Sequence, residues 1–199
     1  MLIKLHDKNP SERDLRRIVE VLERDGVVIY PTDSLYAYGC SLRSPRAIER
    51  LRRIKGKQAD ELAVVFADIA QAAEYCRVDN AAYRLLRRNL PGPFTFLVPA
   101  SSRTSDKALG KRRTVGMRIP GHAVARALVE ALGAPLLTTS LAPDAETEYT
   151  TDPELIHERL GRTVEAVVDG GQGSTEPTTV VDLTGDEPAI VRQGRGELQ

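Results

Sequence analysis

Val27-Val28-Ile29-Tyr30-Pro31-Thr32-Asp33-Ser34 is the stretch on which the reading of the fold turns. Four apolar or aromatic residues in succession mark a short strand. Pro31 has no N–H to give to a ladder and stops it. Thr32, Asp33 and Ser34 then set three polar side chains at the strand's end.

Upstream, Ser11 can cap a helix whose Leu15, Ile18, Val19 and Leu22 fall at i, i+3, i+4 and i+7. Asp25-Gly26 ends it. Downstream, Ser44-Pro45 opens a second helix with proline at its first position. Ile48, Leu51 and Ile54 form its apolar stripe, and Gly56 is expected to close it as a left-handed cap. Leu62 to Phe66 reads as an internal strand. Asp79 caps a helix bearing Leu85, Leu86 and Leu90, which Pro91-Gly92-Pro93 breaks.

The second half repeats the alternation. Phe94 to Val98 and Thr114 to Ile119 read as strands, separated by a polar, basic loop with one helical turn at 99–113. His122 to Leu132 reads as a helix stopped by Gly133, and Pro135 to Thr139 as a strand. Thr151-Asp152-Pro153-Glu154 reads as a capping box opening a helix to about Leu160. Val164 to Val168 and Thr179 to Leu183 are expected strands. Gly170-Gly171-Gln172-Gly173 between them is a hairpin or loop turn, and Ala189 to Arg192 adds an edge strand. Helices alternating with short apolar strands predict one α/β domain over residues 10–196. Its architecture is a twisted, open, mixed sheet with helices packed around it.

A chain of 199 residues, 41% of them hydrophobic, is long enough to bury a core without staples. Lys plus Arg and Asp plus Glu balance at 28 each, so net charge selects no partner. The distribution does. Residues 43–57 hold seven basic side chains and only Glu49 on the acidic side, whereas residues 144–187 hold twelve acidic side chains against Arg159 and Arg162. This asymmetry predicts a local anion site; a solvated helix face is the other reading of Arg43, Arg46, Arg50 and Arg53. Cys40 and Cys76 make neither a disulfide framework nor a zinc motif, and His6, His122 and His157 are scattered. No stretch reaches the roughly 18 apolar residues of a membrane span and no signal-peptide core opens the chain. The expected location is the cytoplasm.

Ligands in open α/β sheets lie beyond strand ends, and the chemistry-bearing residues gather there. Lys55 and Lys57 flank Gly56 and can address one anion if the backbone turns; alternatively they complement a helix dipole. Arg118, in an apolar strand, needs a partner, either a substrate carboxylate or a structural ion pair. Thr32, Thr139 and Ser140 offer hydroxyls. Asp33 can meet an amine, a ribose or a phosphate-bound metal, or it can bond turn amides. The chain has no Gly-x-x-x-x-Gly-Lys-Ser/Thr loop, no Gly-x-Gly-x-x-Gly after the first strand and no Gly-x-Ser-x-Gly elbow. With no evident nucleophile, such a set acts through proximity and electrostatics.

Val28 to Cys40 (VIYPTDSLYAYGC) resembles the opening motif of the YrdC-like threonylcarbamoyl-AMP synthase family. So do Ile54-Lys55-Gly56-Lys57, Leu90 to Thr95, Met117-Arg118-Ile119-Pro120, Pro135 to Ser140 and Pro177 to Asp182, in order, over about residues 12–195. The resemblance implies a twisted, open α/β fold with a concave, positively charged cavity. It implies ATP with Mg2+, L-threonine and bicarbonate as substrates. The products would be pyrophosphate and threonylcarbamoyl-AMP, destined for tRNA modification; binding of double-stranded RNA or tRNA is the alternative that other members imply. Lys55 and Ser140 match the family's Lys-x-Arg and Ser-x-Asn motifs, while Lys57 stands at the arginine position and Ala142 at the asparagine position. Thr32 and Arg118 match cavity residues, and Arg192 resembles the late arginine of a Val-x-Arg-x-Gly ending. Lys57 lacks the guanidinium fork, and Ala142 lacks the side-chain amide, whose hydrogen bond to a nucleotide would be worth on the order of 1–3 kcal/mol. Both departures resemble the YciO-type branch, whose role is less defined. An enzyme acting on another nucleotide or acyl substrate is the third reading.

Overall fold

The computed structural model of the chain describes residues 1–6, 10–56, 62–104 and 113–199. Ten strands form one sheet in the order β1-β8-β2-β3-β7-β4-β6-β5-β9-β10. They are β1 (Leu2–Lys4), β2 (Val27–Tyr30), β3 (Ala37–Ser41), β4 (Ala63–Val65), β5 (Phe94–Pro99), β6 (Thr114–Arg118), β7 (Leu136–Ser140), β8 (Ala166–Asp169), β9 (Thr179–Asp182) and β10 (Ala189–Arg192). Neighbours pair parallel at β1/β8, β8/β2, β4/β6 and β5/β9, and antiparallel elsewhere, so the sheet is mixed as expected. The helices described are α1 (Glu12–Glu23), α2 (Pro45–Lys55), α3 (Ile69–Tyr75), α4 (Asn80–Asn89), α5 (Ala123–Leu132), α6 (Glu148–Thr151) and α7 (Pro153–Leu160).

Capping chemistry sets the helix starts. Ser11, Ser44, Asp68 and Asp79 each accept a backbone N–H three residues on. The cap of α7 is Asp152 rather than Thr151, because Thr151 is already the last residue of α6. Gly56 does take a positive φ of 64°, but its ψ of −130° is not that of a left-handed helical cap. The strand expected over Leu62–Phe66 contracts to Ala63–Val65, and the one expected over Val164–Val168 shifts to Ala166–Asp169. The glycine-rich 170–173 stretch is a loop and not a hairpin turn. It joins β8, paired with β1 and β2, to β9, on the opposite side of the sheet. The 99–113 loop lies largely outside the described residues.

Strand alternation sorts the core onto two faces. Val27 and Ile29 join one buried cluster, with residues of α2, α3, α4 and α7. Val28 and Tyr30 join the other, with Ile18 and Leu22 of α1 and Val124, Leu128 and Val129 of α5. Gly39 on β3 lets the Tyr30 ring cross it, since a Cβ there would lie 2.7 Å from Tyr30 Cε1. The phenol thereby reaches β7 and donates to Thr138 Oγ1 at 2.9 Å. The layer of α1 and α5 covers only part of its face. Val65 lies under it, whereas Ala63, two residues earlier on the same face, looks into a cavity.

Burial pushes the Cys40 and Cys76 thiols up from 9.0 to about 12. The same desolvation raises the Tyr30, Tyr36 and Tyr38 phenols. These groups stay protonated in the fold at a pH where the unfolded chain releases its protons. Their stabilisation is therefore complete below about pH 9 and is lost as the pH climbs toward 12. Urea midpoints should fall on this alkaline side, and iodoacetamide at mildly alkaline pH should label neither thiol until urea unfolds the chain. Rapid labelling of the native protein would contradict the buried placement.

Candidate functional site

A cavity of about 570 Å³ lies on the uncovered sheet face. Its floor follows from alternation and register. On β6, Thr114, Gly116 and Arg118 face it, while Val115 and Met117 enter the core. On β5, Thr95 and Leu97 face it between the buried Phe94, Phe96 and Val98. Val180 of β9 and Thr138 and Ser140 of β7 complete the floor, with Thr178 just before β9.

Arg192 reaches this face through a bulge. Ile190 pairs with Val181, yet Arg192 pairs with Val180, so Val191 is an extra residue in β10. In a regular ladder with Val191 paired, Arg192 would fall opposite Thr179, which is fully buried on the other face. The bulge brings Arg192 to the Val180 side, where Nε and Nη2 donate to the Thr178 carbonyl at 3.2 and 2.9 Å.

Arg118 is only 3% exposed. Its Nη2 donates to Ser34 Oγ at 3.1 Å, Asp33 Oδ1 at 3.3 Å and Thr32 Oγ1 at 3.4 Å. Its Nε is buried with no hydrogen-bond partner among the described residues. The strand-end turn thus anchors the guanidinium through Nη2, in a side chain that also lines the cavity. Asp33 takes up the structural ion pair that was one reading of Arg118: it is that arginine's counter-ion, and its Oδ2 accepts from Gly121 N at 2.6 Å, an amide of a remote segment rather than of its own turn. Thr32 does not line the cavity. Its hydroxyl donates to the Leu35 carbonyl at 2.7 Å and receives Ser34 N, so it builds the turn that receives Arg118.

The cavity therefore brings together Lys55, Arg118, Thr139, Ser140 and Arg192, with Thr32 one bond behind Arg118. Lys57 lies outside the described residues. Ala142 is on the wall, where it presents only a methyl group. Sequence reasoning missed Thr95, Thr178 and Asp144. Thr95 had a signal, being a hydroxyl at the alternate position of an otherwise apolar strand. Asp144 is the one carboxylate on the described wall, and it is already held by Arg159, which lowers its pKa. Arg159 also lies 3.5 Å over the Tyr149 ring, fastening the 142–150 segment to α7.

The basic 43–57 stretch is largely engaged. Arg43 donates to the Gly133 carbonyl, and Arg46, Arg50 and Arg53 pair with Asp25, Glu165 and Glu49. Arg103 pairs with Glu74. Among the described residues, no group of three or more His, Cys, Asp or Glu is placed to hold a metal ion. No helix there is long and apolar enough to cross a membrane.

Removing Asp33 should strand a buried cation. Asp33→Ala is expected to destabilise the fold by about 3 kcal/mol in urea titrations. Asp33→Asn keeps an acceptor for Gly121 N and should lose less. Equal, negligible losses would show that the pair does not support the fold.

The family model described as "Telomere recombination", covering Sua5, YciO and YrdC proteins, matches residues 20–194. The crystal structure of Escherichia coli YciO superposes with a TM-score of 0.91 at 40% identity, over 99% of this chain and 97% of that one. A threonylcarbamoyl-AMP synthase of Vibrio vulnificus is 32% identical over 186 residues, 91% of this chain and 98% of the relative. The crystal structure of P. abyssi Sua5 complexed with L-threonine matches with a TM-score of 0.85 at 26% identity; the match covers 98% of this chain and 57% of that longer one. The architecture, the matched segments and these likenesses agree, and the chain belongs to the Sua5/YciO/YrdC family, in its YciO branch.

Proposed function

We propose that the cavity binds MgATP, L-threonine and bicarbonate and forms threonylcarbamoyl-AMP and pyrophosphate at a reduced rate, in support of tRNA modification. Kinship with threonylcarbamoyl-AMP synthases supports a catalytic role. The observation that carries the finer reading is Arg118: its buried Nε has no hydrogen-bond partner among the described residues, and the residue lines a cavity that also holds Lys55, Ser140 and Arg192. A buried donor without a partner costs about 1–3 kcal/mol, which a ligand carboxylate at this position would relieve.

In this reading the threonine nitrogen attacks the bicarbonate carbon, releasing water and leaving a carbamate. A carbamate oxygen then attacks the α-phosphorus of ATP, and pyrophosphate leaves. Arg118 orients the threonine carboxylate, and Thr32 acts through Arg118 by shaping its turn. Lys55 and Lys57 offset phosphate charge, while Thr139 and Ser140 position the nucleotide. Magnesium enters with ATP as part of the substrate, consistent with the single, already paired carboxylate on the described wall. Catalysis then rests on alignment and charge neutralisation.

A non-catalytic protein for double-stranded RNA or tRNA draws less support, because Arg43, Arg46, Arg50, Arg53 and Arg103 of the basic stretches are each engaged by a carboxylate or a carbonyl. Mass spectrometry tests the synthase directly, with labelled bicarbonate, MgATP and threonine. Labelled threonylcarbamoyl-AMP should form, and Arg118→Ala should abolish it. No product from a folded, ATP-binding protein would overturn the synthase reading in favour of another nucleotide or acyl substrate. Ala142→Asn combined with Lys57→Arg should raise turnover about tenfold, the effect of regaining one good bond. No gain would remove these two positions as the cause of a reduced rate.

A further inference from the structure

Thr95 and Thr178 have no role in the reaction outlined above, yet both line the cavity. Their Oγ1 atoms lie 2.9 Å apart. Arg192 Nη2 donates to Thr178 Oγ1 at 3.3 Å, in addition to its bonds to the Thr178 carbonyl. Either hydroxyl of the pair can donate to the other, but a guanidinium only donates, so the Thr178 oxygen accepts from Arg192 and its own O–H is the more polarised of the two. Its hydrogen is best placed on Thr95. That leaves the Thr95 hydrogen for the cavity.

The register puts this hydrogen at a telling position. Thr95 pairs with Val180, which pairs with Arg192. On the other side, Phe96 pairs with Met117, so Thr95 falls level with Arg118. The two arginines thus end one cross-strand row on the order of 14 Å long, at three strand spacings, with Thr95 inside it. Beside Thr95, Gly116 keeps the floor open, since a Cβ there would come within 3.3 Å of Thr95 Cγ2 and 3.2 Å of Ala63 Cβ.

We propose that Thr95 is a ligand-binding residue that donates its hydroxyl to a phosphoryl oxygen of the nucleotide. Thr178 and Arg192 are positioning residues that set the direction of that donation. The inference rests on the nucleotide reading and refines it. A phosphorus between a carboxylate held at Arg118 and a phosphate chain reaching toward Arg192 lies over Thr95. The hydroxyl would bind charge where the guanidiniums at the row's ends do not reach.

Calorimetry with MgATP and, separately, inorganic pyrophosphate tests this on wild type, Thr95→Val, Thr95→Ser and Arg192→Met. Thr95→Val keeps the shape and removes the hydroxyl, and it should weaken MgATP binding about tenfold. Thr95→Ser should stay within about twofold of wild type, and its binding confirms the fold of the site. In an Arg192→Met background the Thr95→Val effect should shrink, because the relay has lost its direction. A Thr95→Val protein that binds MgATP like wild type overturns the Thr95 assignment and leaves the nucleotide reading standing. Wild type that binds pyrophosphate but not MgATP overturns the nucleotide reading; a loss of pyrophosphate in Thr95→Val would then still support the hydroxyl as an anion donor. Binding of neither probe overturns both.

Discussion

A guanidinium cannot be buried in the middle of a sheet face without partners, and this molecule builds much of its cavity-bearing half around that requirement. Arg118 is carried in by β6, from one side of the sheet, while its partners come from the turn after β2, across β3, β7 and β4. Pro31 ends β2 where the chain must turn, and Thr32 folds its hydroxyl back onto the Leu35 carbonyl so that Asp33 and Ser34 face the arginine. Gly121 N ties Asp33 to the segment after β6. One ion pair with its hydroxyls therefore locks two remote strand ends together at the cavity wall.

The cavity itself comes from an asymmetry of covering. One sheet face carries a helical layer along its length, from α2, α3, α4 and α7. The other is covered by α1 and α5 and then left open. On the open part the same alternation that buries Phe94, Phe96 and Met117 below presents Thr95, Gly116 and Arg118 above. Hydroxyls dominate this floor, and the cations stand at its ends and rim. Such a surface suits a long, oxygen-rich, anionic ligand better than a compact apolar one.

Much of this was legible in the residues. Val27 to Tyr30, the Ser11 and Ser44 caps and the 3.6-residue apolar stripes fixed most elements, because those signals are local. Lys55, Arg118, Ser140 and Arg192 were readable as strand- and helix-end groups, and the structure brings them to one cavity. Strand β3 escaped because Ala37-Tyr38-Gly39-Cys40 has weak strand character alone; its glycine makes sense only beneath the Tyr30 ring. α3 lacks a strong stripe and is defined by its Asp68 cap and by packing on Cys76 and Phe66. Strand order, the Val191 bulge and the Arg192-to-Thr178 bonds were not legible. They depend on which strands meet, and pairing between distant segments leaves no periodic trace in either one.

That distance has a consequence for how the chain acquires its properties. Neighbouring strands in the floor are β7, β4, β6, β5, β9 and β10, so the wall joins segments from Leu35 to Arg192. Loop closure over such separations costs entropy before any contact repays it, which slows folding relative to locally connected helical domains. The helix-covered β1-β8-β2 region likewise waits for β8. During synthesis, no N-terminal portion of the chain can display the complete recess. Ligand competence should therefore emerge late and in one step, when β9 and β10 close the far edge, and it should not grow in proportion to the length already made.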